Sequence, residues 1–184
     1  MVEGSEIDYV EVNPKQIISV AAALVPFIES NDASRALMGA NMQRQAVPLV
    51  SPKAPIVGTG MEKDIIASTS VSVFANSAGI VYDINDKFIV VKTNSYEKPF
   101  DIYNIHKFNR TNQSTCFNHN IIVNIGDYVQ KGDILASGPS TQGGELAIGQ
   151  NLLAAFSSWN GYNFEDAIVI SERVAKSDIF TSVH

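Results

Sequence analysis

Pro48, Pro52 and Pro55 cut this chain into two parts that one helix or one strand cannot bridge, since each proline removes a backbone donor and restricts the residue before it. Upstream, apolar residues recur at helical spacing. Asn13 is placed to cap a helix, Pro14 suits its first position and Gln16 lies three residues after the cap. Ile17, Val20, Ala21 and Leu24 continue the pattern until Pro26 ends it near Val25, and Asp32 can cap a second helix running towards Gln45. Downstream, from about Ile56, β-branched and aromatic runs at 71–74, 79–82, 87–91 and 101–105 alternate with Gly, Asn and Asp. The turn Ile84-Asn85-Asp86-Lys87 predicts a hairpin. The pattern is that of an α+β fold, predominantly β, with short N-terminal helices followed by a compact antiparallel sheet or barrel.

Farther along, Val123-Asn124-Ile125-Gly126-Asp127-Tyr128-Val129-Gln130-Lys131-Gly132-Asp133-Ile134-Leu135 alternates apolar and turn residues around two Gly-Asp pairs. It resembles the barrel-sandwich hybrid modules of biotinyl and lipoyl carriers. A carrier presents an acceptor lysine, usually between methionines, and the chain has no Met-Lys-Met, so a scaffold or interaction module is the preferred form of that reading. Gly138-Pro139-Ser140-Thr141-Gln142-Gly143-Gly144 lacks the Gly-Lys-Ser/Thr ending of a phosphate loop and is expected to be an ordinary connector. Leu152-Leu153-Ala154-Ala155-Phe156 reads as a strand, and Ser171-Glu172-Arg173-Val174 as a short capped helix.

Composition narrows the function. With 45% hydrophobic and 17% charged residues, the 184-residue chain can bury a core. No apolar run reaches the roughly 20 residues of a membrane span, and Glu3, Glu6 and Asp8 stand where a secretory leader carries positive charge. Cys116 is the single cysteine, which excludes an internal disulfide and a thiolate zinc cluster; a cytoplasmic-type protein is expected. His106, His119 and His184 are scattered and read as surface histidines rather than metal ligands. The charge of -6, from 13 Lys+Arg against 19 Asp+Glu, argues against autonomous nucleic-acid binding. A nucleic-acid role then needs a larger assembly to supply the positive channel.

Two segments concentrate chemistry. In an unbroken helix over 32–45, Arg35 and Arg44 lie nine positions apart and face opposite ways at about 100° per residue. Asn41, Arg44 and Gln45 share a face and can present donors to a phosphodiester or nucleotide; a solvated helix face is the simpler reading of the pattern. Gly39 marks a bend or a close approach by a partner's backbone. Glu165 and Asp166 precede an apolar run and, as strand neighbours, point to opposite sides, so they cannot pinch one ion. One can face a nucleotide-magnesium site while the other holds the turn or an arginine; two solvated acids is the alternative. Tyr162 and Phe164 read as core packing.

Taken in order, Glu6-Ile7-Asp8-Tyr9, Arg35-Ala36-Leu37-Met38-Gly39, Asn41-Met42-Gln43-Arg44-Gln45-Ala46-Val47-Pro48, Gly58-Thr59-Gly60-Met61-Glu62, Gly138-Pro139-Ser140-Thr141, Gly144-Glu145-Leu146-Ala147-Ile148-Gly149-Gln150-Asn151 and Gly161-Tyr162-Asn163-Phe164-Glu165-Asp166 resemble the beta subunit of bacterial-type DNA-directed RNA polymerase, as a small internal portion. The resemblance covers nearly the whole chain. It implies part of a double-psi β-barrel with a β-rich, barrel-sandwich-like insertion: a helical segment over 1–50 carrying Arg35 and Arg44, then a β-rich barrel region over 51–184 with the insertion at about 68–140.

The same resemblance implies the roles. Arg35 helps bind the incoming triphosphate; Asn41, Arg44 and Gln45 lie near the RNA–DNA hybrid and the rim of the rifamycin pocket; Glu165 and Asp166 sit close to the second magnesium. Magnesium belongs to the full enzyme, held mainly by an Asn-Ala-Asp-Phe-Asp-Gly-Asp motif of beta-prime that this chain lacks, so no complete metal site and no cofactor are expected in the chain alone. The implied partners are the beta-prime, alpha and sigma subunits, DNA template, RNA and nucleoside triphosphates, in a bacterial or organellar bacterial-type enzyme with no membrane. Gln142 departs from the family's usual Asp, and Ser157-Ser158 from Met-Pro, which leaves the loop before Trp159 less rigid.

Overall fold

In the computed structural model, residues 3–10 and 12–184 are described, and the chain divides into two units: residues 1–45 with 57–61, and residues 46–56 with 62–184. In the first unit a 3-10 turn, Pro14–Ile17, precedes helix α1, Val20–Ala23. The single helix expected from Asn13 is therefore interrupted. Ser19 is extended (ψ 155°) and its hydroxyl accepts from Ala22 N–H at 3.2 Å, so the serine starts a new helix instead of continuing the old one. Helix α2, Ala33–Arg44, begins at Asp32 as its sequence predicts and packs against α1.

Helix α3, Met61–Ser68, stands where strand grammar was expected to have begun. Glu62 and Asp64 in its first turn favour the positive end of the helix dipole, and Ile66 is buried. The strands of the second unit then follow: β1 Val73–Phe74, β2 Gly79–Ile84, β3 Phe88–Thr93, β4 Phe100–Asn104, β5 Asn109–Arg110, β6 Cys116–Phe117, β7 Asn120–Ile121, β8 Tyr128–Val129, β9 Ile134–Ser137, β10 Thr141–Gln142 and β11 Glu145–Leu146. Helix α4 is Glu172–Lys176.

All pairings are antiparallel, in sheets ordered β4-β3-β2-β8 and β1-β9-β7 and in the pairs β5-β6 and β10-β11. The predicted β2–β3 hairpin forms, with Ile84 opposite Ile89 and Asn85 N–H bonded to Phe88 O at 2.8 Å. Alternation along β2 and β3 sends Val81, Ile89 and Val91 into a core completed by Ala75, Tyr103, Ile105, Val129, Leu135 and Ala136. Burial raises the Tyr103 phenol above its usual value, and its oxygen accepts from Asn76 N–H at 2.8 Å.

The two Gly-Asp pairs build one turn twice. Asp127 Oδ2 accepts from Asn124 N–H and Asp133 Oδ2 from Gln130 N–H, each at 2.8 Å, while Gly126 and Gly132 take φ of 92° and 94°. Gly126 and Asp127 then exchange backbone bonds with Val81, and Gly132 and Asp133 with Ala75. The first turn thus adjoins the β2–β8 pairing and the second the β1–β9 pairing.

Several expectations are corrected. Gly138-Pro139-Ser140-Thr141-Gln142-Gly143-Gly144 is no simple connector: it contains β10 and closes on β11 through Gly143-Gly144. At Gly138 an added Cβ would lie 1.9 Å from Val71 O, so the backbones touch. Residues 152–156 and 167–170 form no strand, and Leu153, Phe156 and Ile168 stay exposed, because no neighbouring segment pairs with them. Ser171 precedes α4 without a capping side-chain bond. His119 is no surface histidine but 2% exposed: Nδ1 accepts from His106 N–H and Nε2 faces Val71 O, each at 3.1 Å. Burial holds its imidazole below the usual histidine value.

Candidate functional site

Asp32 fixes the start of α2. Its extended backbone (φ -64°, ψ 144°) lets the carboxylate accept from the Ser34 backbone N–H at 3.1 Å and from the Ser34 hydroxyl. That hydroxyl bond, and next the backbone one, hold the Asp32 carboxyl below its usual range. Three residues on, Arg35 occupies the first helical turn, where the dipole disfavours a cation. Its guanidinium is exposed and, among the described residues, reaches only the Met38 sulfur, at 3.7 Å. This arginine therefore contributes little to helix stability.

Helix α2 runs unbroken past Gly39, and nothing lies within 4 Å of a Cβ added there, so the glycine does not interrupt the helix. Arg35 and Arg44 consequently project from opposite faces. Arg44 Nη2 donates to Asn41 Oδ1, which ties these two side chains together. Gln45 lies just beyond, as the C-cap residue, its N–H bonded to Met42 O at 3.1 Å. Gln43, which the sequence reading did not single out, keeps a buried Oε1 without a partner among the described residues. Its signal is its place among the closely spaced amides of α2.

The acidic pair belongs to the second unit. Residues 160–163 and 165–166 are turn rather than strand, so the opposite-facing strand geometry expected for Glu165 and Asp166 does not apply. Asn163 braces the turn: its Oδ1 accepts from Trp159 N–H at 2.9 Å and its Nδ2 donates to Ser157 O at 2.6 Å. Glu165 has φ 54°, a left-handed conformation uncommon for a residue with a side chain. Both carboxylates are exposed, and neither forms an ion pair among the described residues. Tyr162 and Phe164, expected in the core, are exposed as well.

For a metal the fit is partial. Among the described residues no group of three or more His, Cys, Asp and Glu can hold an ion. Glu165 and Asp166 can supply at most two carboxylates, the number magnesium commonly takes from a protein when phosphates and water complete its shell.

A family model for RNA polymerase Rpb2, domain 6, matches residues 74–184. The chain belongs to this family. The matched stretch holds the sheets, the Gly-Asp turns, Glu165 and Asp166 of this Rpb2 domain 6 member, while α2 precedes it. Relatives extend the likeness to α2: the DNA-directed RNA polymerase subunit beta of Ehrlichia ruminantium strain Gardel, of its strain Welgevonden, and of Ehrlichia chaffeensis are each 53% identical over 188 aligned positions, covering 100% of this chain. The chain spans 14% of the length of each of these relatives. Among the described residues no helix is long and apolar enough to cross a membrane.

Proposed function

We propose that this chain is part of the beta subunit of a DNA-directed RNA polymerase and forms one wall of the centre that makes RNA from ribonucleoside triphosphates on a DNA template. The observation that carries the reading is 53% identity to polymerase beta subunits along the entire chain. Three structural features support it. Arg35 is a cation held where helix electrostatics do not want it. Glu165, on a left-handed turn, has no ion-pair partner among the described residues. An apolar run, including Leu153, Phe156, Trp159, Phe164 and Ile168, is left uncovered, as suits a chain buried against other subunits.

In this reading Arg35 neutralises oxygens of the incoming triphosphate with a planar fork of donors, and holds the nucleotide for attack by the RNA 3′-hydroxyl. Asn41, Arg44 and Gln45 line the path of the RNA–DNA hybrid, with Arg44 oriented by its bond to Asn41. Magnesium, held mainly by beta-prime aspartates in the complete enzyme, would supply the positive charge that activates the 3′-hydroxyl and offsets the leaving pyrophosphate. Glu165 is the neighbour of the nucleotide-bound ion, with Asp166 beside it on the turn that Asn163 braces. The helical segment over 1–50 presents the arginines. The region over 51–184 contributes to a double-psi barrel, with a barrel-sandwich-like insertion at about 68–140, and the wall assembles with beta-prime, alpha and sigma.

A carrier reading gains no support, because the hairpin after β9 turns on Gly143-Gly144 and carries no acceptor lysine. The deciding experiment is Arg35→Ala in the full-length enzyme. It is expected to raise the nucleotide KM or lower kcat by ten-fold or more while promoter binding changes little; an unchanged elongation rate at limiting nucleotide would refute the assignment.

A further inference from the structure

A cleft of about 280 Å³ lies within the second unit; Ser51, Lys53, Gln150, Asn151, Arg173 and Asp178 form its polar wall, with Ser177 beside them, and Leu152 and Ile179 its apolar one. Three separate stretches of chain form it, and they are pinned together. Lys53 N–H bonds to Gly149 O and Val50 N–H to Thr181 O, each at 2.9 Å. The Gln150 side-chain amide donates to Ser51 O, and Asn151 Nδ2 to Ala54 O at 2.8 Å. One N–H of each amide is thereby used in holding the walls.

What remains for a ligand is an excess of donors. The Lys53 ammonium and the Arg173 guanidinium have no ion-pair partner, and the Ser51 and Ser177 hydroxyls no hydrogen-bond partner, among the described residues. One carboxylate faces them, Asp178, and its Oδ1 is already engaged by the Thr181 hydroxyl at 3.0 Å. Outside the cleft, Glu172 and Lys176 of α4 neutralise each other at 2.9 Å. In a chain of net charge -6, two cations against one acid reverse the local sign.

We propose that this cleft binds a phosphate group. A carboxylate offers two acceptor oxygens, whereas a phosphate offers three or four, which matches one ammonium, one guanidinium fork and two hydroxyls. The volume falls just under the roughly 300 Å³ at which pockets for drug-sized ligands begin, so a small oxyanion fits better than a whole nucleotide. Such a group arrives either within a nucleic-acid strand or as free pyrophosphate. The proposal is independent of the roles given above to Arg35 and Glu165.

Titration of the isotope-labelled chain with pyrophosphate, and separately with a short single-stranded RNA, tests it by NMR. Pyrophosphate is expected to shift the amides of 51–53, 150–152 and 173–179, with affinity falling steeply as salt rises. The double variant Lys53→Gln, Arg173→Gln is expected to weaken binding at least ten-fold at an unchanged melting temperature, since both side chains are exposed. RNA that shifts the same amides and is displaced by pyrophosphate supports the site with the strand as its source. Shifts with pyrophosphate alone support it with the free anion as source. The proposal falls if neither ligand shifts these amides at millimolar concentration, if the double variant binds like the parent, or if acetate binds as tightly as pyrophosphate.

Discussion

His119 shows what one residue can hide. Its sequence context suggests a surface side chain, yet its imidazole joins His106 N–H to Val71 O inside the second unit, a bond between residues 48 positions apart that no local pattern announces. Because burial depresses its pKa, the unfolded chain, titrating near pH 6.5, takes up the proton first. Stability is then fully present above about pH 6.5 and declines as pH falls from there towards the lowered folded value. Urea denaturation across that window is expected to show this slope, and His119→Leu to remove it while costing about 2–4 kcal/mol at pH 8, through two backbone groups left unpaired. At Glu165 the strain is conformational. Glu165→Gly, compared with Glu165→Ala, is expected to gain about 1 kcal/mol in denaturation, because only glycine occupies φ 54° freely. Arg35 and the Glu165-Asp166 pair were legible as unusual chemistry; the turn that carries the acids was not, since positive φ at a glutamate leaves no trace in residue type.

Elements were readable in proportion to how local their causes are. The β2–β3 hairpin and the Asp32 start of α2 follow from residues within a few positions of each other, and both are found. Helix α3 was missed because its acidic first turn follows a glycine-rich stretch that reads as loop. The run at 152–156 has strand composition but no partner, and composition alone does not make a ladder. Two glycines give opposite predictions for the same substitution. Gly132→Ala is expected to destabilise the chain by about 1–2 kcal/mol, because φ of 94° is closed to alanine and the turn anchors Ala75. Gly39→Ala is expected to stabilise it by about 0.5–1 kcal/mol, since α2 is regular there and the space is open. If that variant also slows the full-length enzyme, a partner's backbone approaches Gly39 in the assembly.

At the scale of the whole molecule, the division of labour follows from what this chain has and lacks. It offers cations on α2 and two acids on an exposed turn, but no group of three metal-ligating side chains among the described residues. Its net charge of -6 cannot by itself hold a nucleic-acid backbone over any length. The chain also leaves Leu153, Phe156, Trp159, Phe164 and Ile168 largely in solvent, more apolar surface in one stretch than a lone protein usually exposes. We propose that Arg35 and Glu165 each serve the incoming nucleotide when the chain is built into the complete enzyme. The most direct test is a structure of that enzyme with magnesium and a nucleoside triphosphate bound. The Arg35 guanidinium is expected within about 3 Å of a triphosphate oxygen and the Glu165 carboxylate turned towards the nucleotide-bound ion; Arg35 and Glu165 opening onto unrelated surfaces would contradict the proposed roles.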